Sequence, residues 1–156
     1  MIFYIFYVVL LAIALFCATK ITIADFRRRI IPDAYLFPLM LVGLILIAFF
    51  PFPISLGDAV LGATFGYITT CIIGIIFERR MQKAGTQITP PIGMGDIKLI
   101  GVGGLWLGAT GLATALVVAC IGGAIWAHRR HQKYIPFAPF FLIGGILSFI
   151  GNWILL

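Results

Sequence analysis

Long apolar segments, separated by three short clusters of basic residues, constrain the fold of this chain most strongly. All 11 Lys and Arg residues lie within residues 20–29, 79–98 and 129–133. Hydrophobic residues make up 62% of the sequence, charged residues 10%, and the mean hydropathy is +1.15. Uninterrupted apolar runs of about 20 residues are typical of membrane-spanning helices. The sequence therefore predicts an all-α integral membrane protein in a lipid bilayer.

The apolar segments divide into about six predicted transmembrane helices. These helices cover approximately residues 2–23, 34–50, 56–77, two arms between residues 98 and 129, and a last segment that opens at residues 135–140 and runs to the C-terminus. The segment from 98 to 129 is too long for one ordinary span, and both its ends are basic. We therefore expect a hairpin that turns near residues 108–111. Because basic loops favour the cytoplasmic side, both termini of this single domain, residues 1–156, are predicted to lie outside.

Composition argues against several other classes of protein and site. The net charge of +6 could suggest nucleic acid, but its confinement to loops between spans fits a membrane protein better, so no nucleic-acid partner is predicted. Cys17, Cys71 and Cys120 are isolated within apolar segments and form no C-x-x-C pair. His128 and His131 have no third ligand nearby in the sequence. We therefore predict neither a metal site nor a cofactor.

Two acidic residues stand at the same predicted depth, where spans meet the cytoplasmic side. Asp25 follows the first span, and Asp96 precedes the fourth, behind Gly93 and Gly95. Glycine lets another backbone approach closely. If the two carboxyl groups share a site, one of their pKa values rises and the pair can activate water. Lys98 is expected to favour the ionised form of Asp96.

Structural interpretations of the acidic residues remain open alongside the catalytic one. Asp25 could pair with the arginines at residues 27–29, and Asp96 could cap the helix that follows it. For Asp58, which follows Ser55, a structural role at a helix start is preferred. The polar segment 78–91 could form a lid or substrate groove, or an ordinary mobile loop.

Three blocks of the sequence resemble the signature blocks of type IV prepilin peptidases, which are membrane aspartyl proteases of the G-x-G-D class. The blocks are Asp25-Phe-Arg-x-x-x-Ile-Pro-Asp33, Gly93-Met-Gly-Asp96-Ile-Lys98 and Ile135-Pro-Phe-Ala-Pro. The resemblance implies catalytic roles for Asp25 and Asp96. It implies that Gly93 and Gly95 let the second acid reach the first. Lys98, Pro32 and Pro136 match motif positions to which no chemical step is assigned.

The resemblance also implies a substrate and a location. The substrate would be a prepilin-like precursor, with a short basic leader followed by an apolar helix. Cleavage would occur at the cytoplasmic face of the inner membrane of a prokaryote, typically after Gly. Longer family members carry an additional N-terminal region, often with paired cysteines, that is associated with N-methylation. No such pair is present here, so we expect the peptidase-only form.

Two other classes of function fit the composition. One is a small transporter or channel subunit, for which acids at mid-depth and on both sides of the membrane would be expected. The other is a non-catalytic assembly factor for a pilus or secretion system. Substitution of Asp25 and Asp96 separates these alternatives from the protease.

Overall fold

The computed structural model describes residues 2–85, 92–131 and 135–155, with side chains through residue 151. Within these residues the chain forms five α-helices and no strand, which confirms the all-α prediction. The helices are α1 (Ile2–Arg28), α2 (Asp33–Phe49), α3 (Leu56–Lys83), α4 (Met94–Arg130) and α5 (Phe137–Leu155). Among them α1, α3 and α4 are long and apolar enough to cross a membrane, whereas α2 and α5 are shorter apolar helices.

The helix starts follow the local sequence signals. Pro32 lies in extended conformation directly before α2, whose first turn contains Asp33. The side chain of Ser55 accepts a hydrogen bond of 3.1 Å from the backbone N–H of Asp58 at the start of α3. This bond confirms the predicted cap. The helices α1 and α3 continue past the predicted spans to Arg28 and Lys83, because charged residues outside an apolar run are still good helix formers.

The fourth helix is a hairpin of two arms, which confirms the predicted reversal of the chain. Gly108 has φ 68° and ψ −177°, a conformation that interrupts the helix between residues 107 and 109. A Cβ built on Gly66 of α3 would meet both Ile100, at 3.2 Å, and Leu112, at 2.6 Å. In a straight helix these two residues would be separated by about 18 Å. Both reach Gly66 because the second arm turns back along the first.

Glycines allow α3 to pack closely against this hairpin. A Cβ on Gly62 would lie 2.5 Å from the carbonyl oxygen of Gly104 and 2.6 Å from the carbonyl carbon of Gly108. Small residues at such positions let transmembrane helices approach until their backbones touch. Gly101 and Gly104 of the first arm therefore lie against α3, where Gly101 meets Tyr67.

The fifth helix packs against both arms of α4. The ring of Phe141, which is among the most deeply buried side chains, covers Gly103 of the first arm. Gly144 meets Ala115 of the second arm. In contrast, α1 contacts α5, and α2 contacts α3, over much shorter stretches.

The prediction of a lid or groove falls partly on residues 86–91, and the last basic cluster includes Lys133; these residues lie outside the described part of the chain.

Candidate active site

Asp25 lies at the end of a buried face of α1. The buried residues of this helix are Leu10, Ala14, Cys17, Ile21 and Asp25. The Asp25 side chain is 4% exposed, and its Oδ2 accepts a hydrogen bond of 2.8 Å from the backbone N–H of Ala138. The N–H of Phe137 acts on the same carboxyl group. Since the first amides of a helix have no partners within it, the start of α5 is a natural place to hold a carboxylate.

Asp96 occupies the first turn of α4. The helix begins after Gly93, whose backbone N–H acts on the half-buried Asp96 carboxyl group and opposes the rise in its pKa. An acid that reaches back to the amide before its helix is one half of a capping box. The Asp96 side chain lies beside Gly93, as the capping interpretation expects.

The two carboxyl groups interact electrostatically, and both lie beyond the predicted apolar spans. Burial, together with the neighbouring charge of Asp25, raises the pKa of Asp96 to about 6, against the opposing effect of the Gly93 amide. Burial also raises the pKa of Asp25, while the amides of Ala138 and Phe137 and the charge of Arg29 oppose this. The charge at the end of α1 is thus close enough to act on the carboxyl group at the start of α4. Such a pair can hold one proton between its members near neutral pH.

The two motif glycines permit different contacts. A Cβ on Gly95 would lie 2.9 Å from the Cβ of Ile31, so glycine lets the α1–α2 connection pack against the first turn of α4. A Cβ on Gly93 would lie 3.3 Å from Oδ2 of Asp96, closer than most Cβ contacts. Gly93 therefore leaves space beside the carboxyl group, and Gly95 brings the chain that follows Asp25 towards it.

The two motif prolines stand at helix starts. Pro32 precedes α2, and Pro136 is fully buried directly before α5. Proline has no N–H and fixes φ, so it suits the start of a helix. Pro136 is followed immediately by Phe137 and Ala138, the first residues of α5, whose amides act on Asp25.

Lys98 was predicted to favour the ionised form of Asp96, but its side chain pairs with another acid. Its Nζ lies 2.7 Å from Oδ2 of Asp33, in a salt bridge between side chains that are 35% and 46% exposed. The pKa of Asp96 is governed instead by burial, Asp25 and Gly93, so the expected effect of Lys98 is wrong. Asp33 was not predicted as a site residue, although it ends the first of the three signature blocks.

Asp58 lies at the opposite end of the first arm of α4. Its Oδ1 accepts a hydrogen bond of 3.4 Å from the backbone N–H of Ala109, where the second arm begins. This contact is structural, but it joins α3 to the second arm of α4 and is not the predicted contact at the start of a helix. Among the described residues no three His, Cys, Asp or Glu side chains are grouped so that they could hold a metal ion.

Similarity to known proteins extends over most of this chain. Residues 5–128 match the model of the type IV leader peptidase family. The chain is similar to the prepilin leader peptidase/N-methyltransferase of Aeromonas hydrophila, with 33% identity over 137 residues, which cover 83% of this chain and 45% of that protein. It is 31% identical to the proteins of the same name from Pectobacterium carotovorum subsp. carotovorum, over 85% of this chain and 47% of that protein, and from Escherichia coli (strain K12), over 85% and 59%. The chain thus spans about half the length of the curated relatives it matches. No solved structure matches it.

Proposed function

Because the chain belongs to the type IV leader peptidase family, we propose that it is a membrane-embedded aspartic endopeptidase. Its substrates are prepilin-like precursors, from which it removes the short basic leader. The observation that carries this proposal is the pairing of buried Asp25 with half-buried Asp96, in which the charge of Asp25 raises the pKa of Asp96. The proposal covers cleavage of the leader and does not include N-methylation.

The surroundings of the two acids give them different roles in this proposal. Asp25 is the base, because the amides of Phe137 and Ala138 stabilise its ionised form. Asp96 holds the proton and donates it to the carbonyl oxygen of the scissile peptide. Asp25 then takes a proton from water as the water oxygen attacks the carbonyl carbon. The carbon–nitrogen bond breaks when the amide nitrogen receives a proton from the pair.

The membrane topology is part of the same proposal. We propose that α1, α2, α3, the two arms of α4 and α5 each cross the bilayer, with both termini outside. This orientation puts Asp25 and Asp96 at the cytoplasmic face of an inner membrane, near the three basic clusters. A scissile bond between a basic leader and an apolar helix would lie at that depth. Contact of Phe26 with Trp126, at 6.4 Å between ring centroids, supports a return of the second arm to this end.

The experiment is co-expression of the chain with a prepilin precursor whose leader ends in Gly before an apolar segment. We expect the unaltered chain to release the leader, which mass spectrometry of the product N-terminus identifies. Asp25→Asn and Asp96→Asn are each expected to abolish release while insertion into the membrane persists. Asp58→Asn is the matched control, because it alters an acid at the other end of the bundle. Complete processing by either of the first two variants would refute the dyad mechanism and favour an assembly factor.

A further inference from the structure

A cavity of about 260 Å³ lies between α1, α4 and α5. Its lining consists of apolar and aromatic side chains and glycines, among them Leu15, Ala18, Gly103, Gly145 and Ile146. On either side of its opening Leu15 is 68% exposed and Ile146 60% exposed. The cavity therefore opens towards the surroundings between α1 and α5, the two helices that contact each other over only a short stretch.

The cavity lies on the same helix faces as the candidate active site. Ala18, Gly103 and Gly145 line it, and each is seven residues from a residue of the site: Asp25, Asp96 and Ala138 respectively. Seven residues are two turns, which separate the two positions by about 10.5 Å along the axis and only about 20° around it. All three helices that form the site thus point the same face into the cavity, two turns deeper.

We infer that this cavity receives the apolar segment of the substrate, which enters between α1 and α5 with one large side chain inserted. This inference rests on the proposed function. An apolar cavity of about 150 Å³ is known to hold a benzene ring, so this one has room for an aromatic or branched side chain. A depth of about 10.5 Å corresponds to about three residues of extended chain or seven of helix beyond the scissile bond.

A second cavity provides an internal comparison. It measures about 550 Å³ and lies between α2 and α3 against the first arm of α4, where Lys98 and Leu105 line it. These two residues are about 200° and 180° around the helix from Asp96. A chain lying in the second cavity would therefore be on the far side of α4 from the acids. Larger volume alone does not make it the substrate site.

Filling the cavities tests this assignment. Ala18→Phe is expected to fill the α1–α5 cavity and to slow cleavage of the precursor at least tenfold. Thr64→Phe, which adds the same ring at the α2–α3 cavity, is expected to leave cleavage within twofold. Equal cleavage by Ala18→Phe and the unaltered chain would overturn the inference.

Cross-linking provides a second measurement that does not require a filled cavity. In a chain whose native cysteines are replaced by Ala, Leu15→Cys and Thr64→Cys mark the two openings. Precursors that carry a single Cys at each position from three to seven after the scissile bond are then cross-linked in membranes. We expect adducts with Leu15→Cys. Adducts with Thr64→Cys alone, or none with Leu15→Cys while the unaltered chain still cleaves the precursor, would overturn the inference. Absence of cleavage by the unaltered chain would refute the proposed function, and this inference with it.

Discussion

Asp25 and Asp58 each accept a backbone N–H at the start of a helical segment, yet their surroundings differ. Asp25 binds the start of α5 at 2.8 Å and is buried. Asp58 binds the start of the second arm of α4 at 3.4 Å, in an exposed contact. The charge of Asp25 also acts on a second acid, Asp96. Asp58 instead lies beside Gly108, where the chain reverses.

This difference shows which features distinguish a structural acid from a catalytic candidate. Both positions satisfy unpaired helix amides, so that contact alone does not indicate catalysis. At the Asp25 end, burial raises the pKa of both acids, and the charge of Asp25 raises the pKa of Asp96 further. At the Asp58 end the carboxylate joins two backbone segments, and its contribution is expected to be to stability. Substitution of Asp25 should therefore reduce activity with little change in stability. Substitution of Asp58 should reduce stability and leave activity unchanged.

The largest expected effect is the loss of cleavage at the Asp25 end. Asp25→Asn should slow cleavage by about 10²–10⁴-fold or more, because a general base is removed. Its apparent melting temperature in detergent should change little, since loss of a desolvated charge offsets the weaker acceptor for the Ala138 amide. Asp58→Ala should cleave normally per folded molecule but lose about 0.5–2 kcal/mol of stability, as caps do. A stable Asp58→Ala variant without activity would remove the distinction between the two acids.

A second large effect is expected from Gly108→Ala. The φ of 68° with ψ −177° belongs to a region that is essentially restricted to Gly, and a Cβ there would collide with the Asp58 carboxylate. Strain and overpacking together should lower stability by about 2–4 kcal/mol. Thermal unfolding measures this loss. The control is Gly74→Ala, where the added Cβ would lie 3.9 Å from Ile97. Equal stability of the two variants would contradict the reversal of the chain at Gly108.

The rate of cleavage should depend on pH through the protonation of Asp96 and Asp25. The pKa of Asp96 is raised to about 6, so its protonated form is present below that pH and is lost above it. If Asp96 supplies the proton, the single-turnover rate should fall about tenfold for each pH unit well above 6. It should also fall at low pH, where Asp25 becomes protonated. A rate that keeps rising above pH 8 would contradict this assignment of the acid.

The coupling of the two acids can be measured without catalysis. Asp25→Asn removes a charge that raises the pKa of Asp96, so this pKa should fall below about 6. Nuclear magnetic resonance of ¹³C-labelled Asp side chains follows the titration, and Asp58→Asn is the control that should leave it unchanged. An Asp96 pKa that is the same in the Asp25→Asn variant would show that the two carboxyl groups do not share a site.

Local features of the fold could be predicted from the sequence. The Ser55–Asp58 pattern predicted the start of a helix, and the length and basic ends of the segment 98–129 predicted a hairpin. The positive φ of Gly108 explains why that hairpin turns where it does. These features depend on residues close together in the chain, where proline, glycine and charge act directly on the backbone. The prediction that Asp25 and Asp96 lie at one depth rests on the same local reasoning.

Contacts between distant segments could not be predicted in this way. The bond from Ala138 to Asp25 joins residues 113 apart, and the bond from Lys98 to Asp33 joins residues 65 apart. Hydropathy indicates where spans begin and end, but not which helix ends are neighbours. The backbone amide that holds Asp25 has no side-chain signature at all. For Lys98 the nearest acid in the sequence, Asp96, suggested the wrong partner.

The smallest expected effect concerns a third acid, Asp33, whose partner is a side-chain cation and not a backbone amide. Because the Lys98–Asp33 pair is 35% and 46% exposed, breaking it with Asp33→Asn should cost only about 0–1 kcal/mol of stability. The loss should disappear at about 1 M salt, where the screening length is about 3 Å, and reversing both charges in Asp33→Lys with Lys98→Asp should restore it. Denaturation at low and high salt measures each variant. A loss above about 2 kcal/mol that persists in salt would show that this pair, like the Asp25 end, holds its carboxylate away from water.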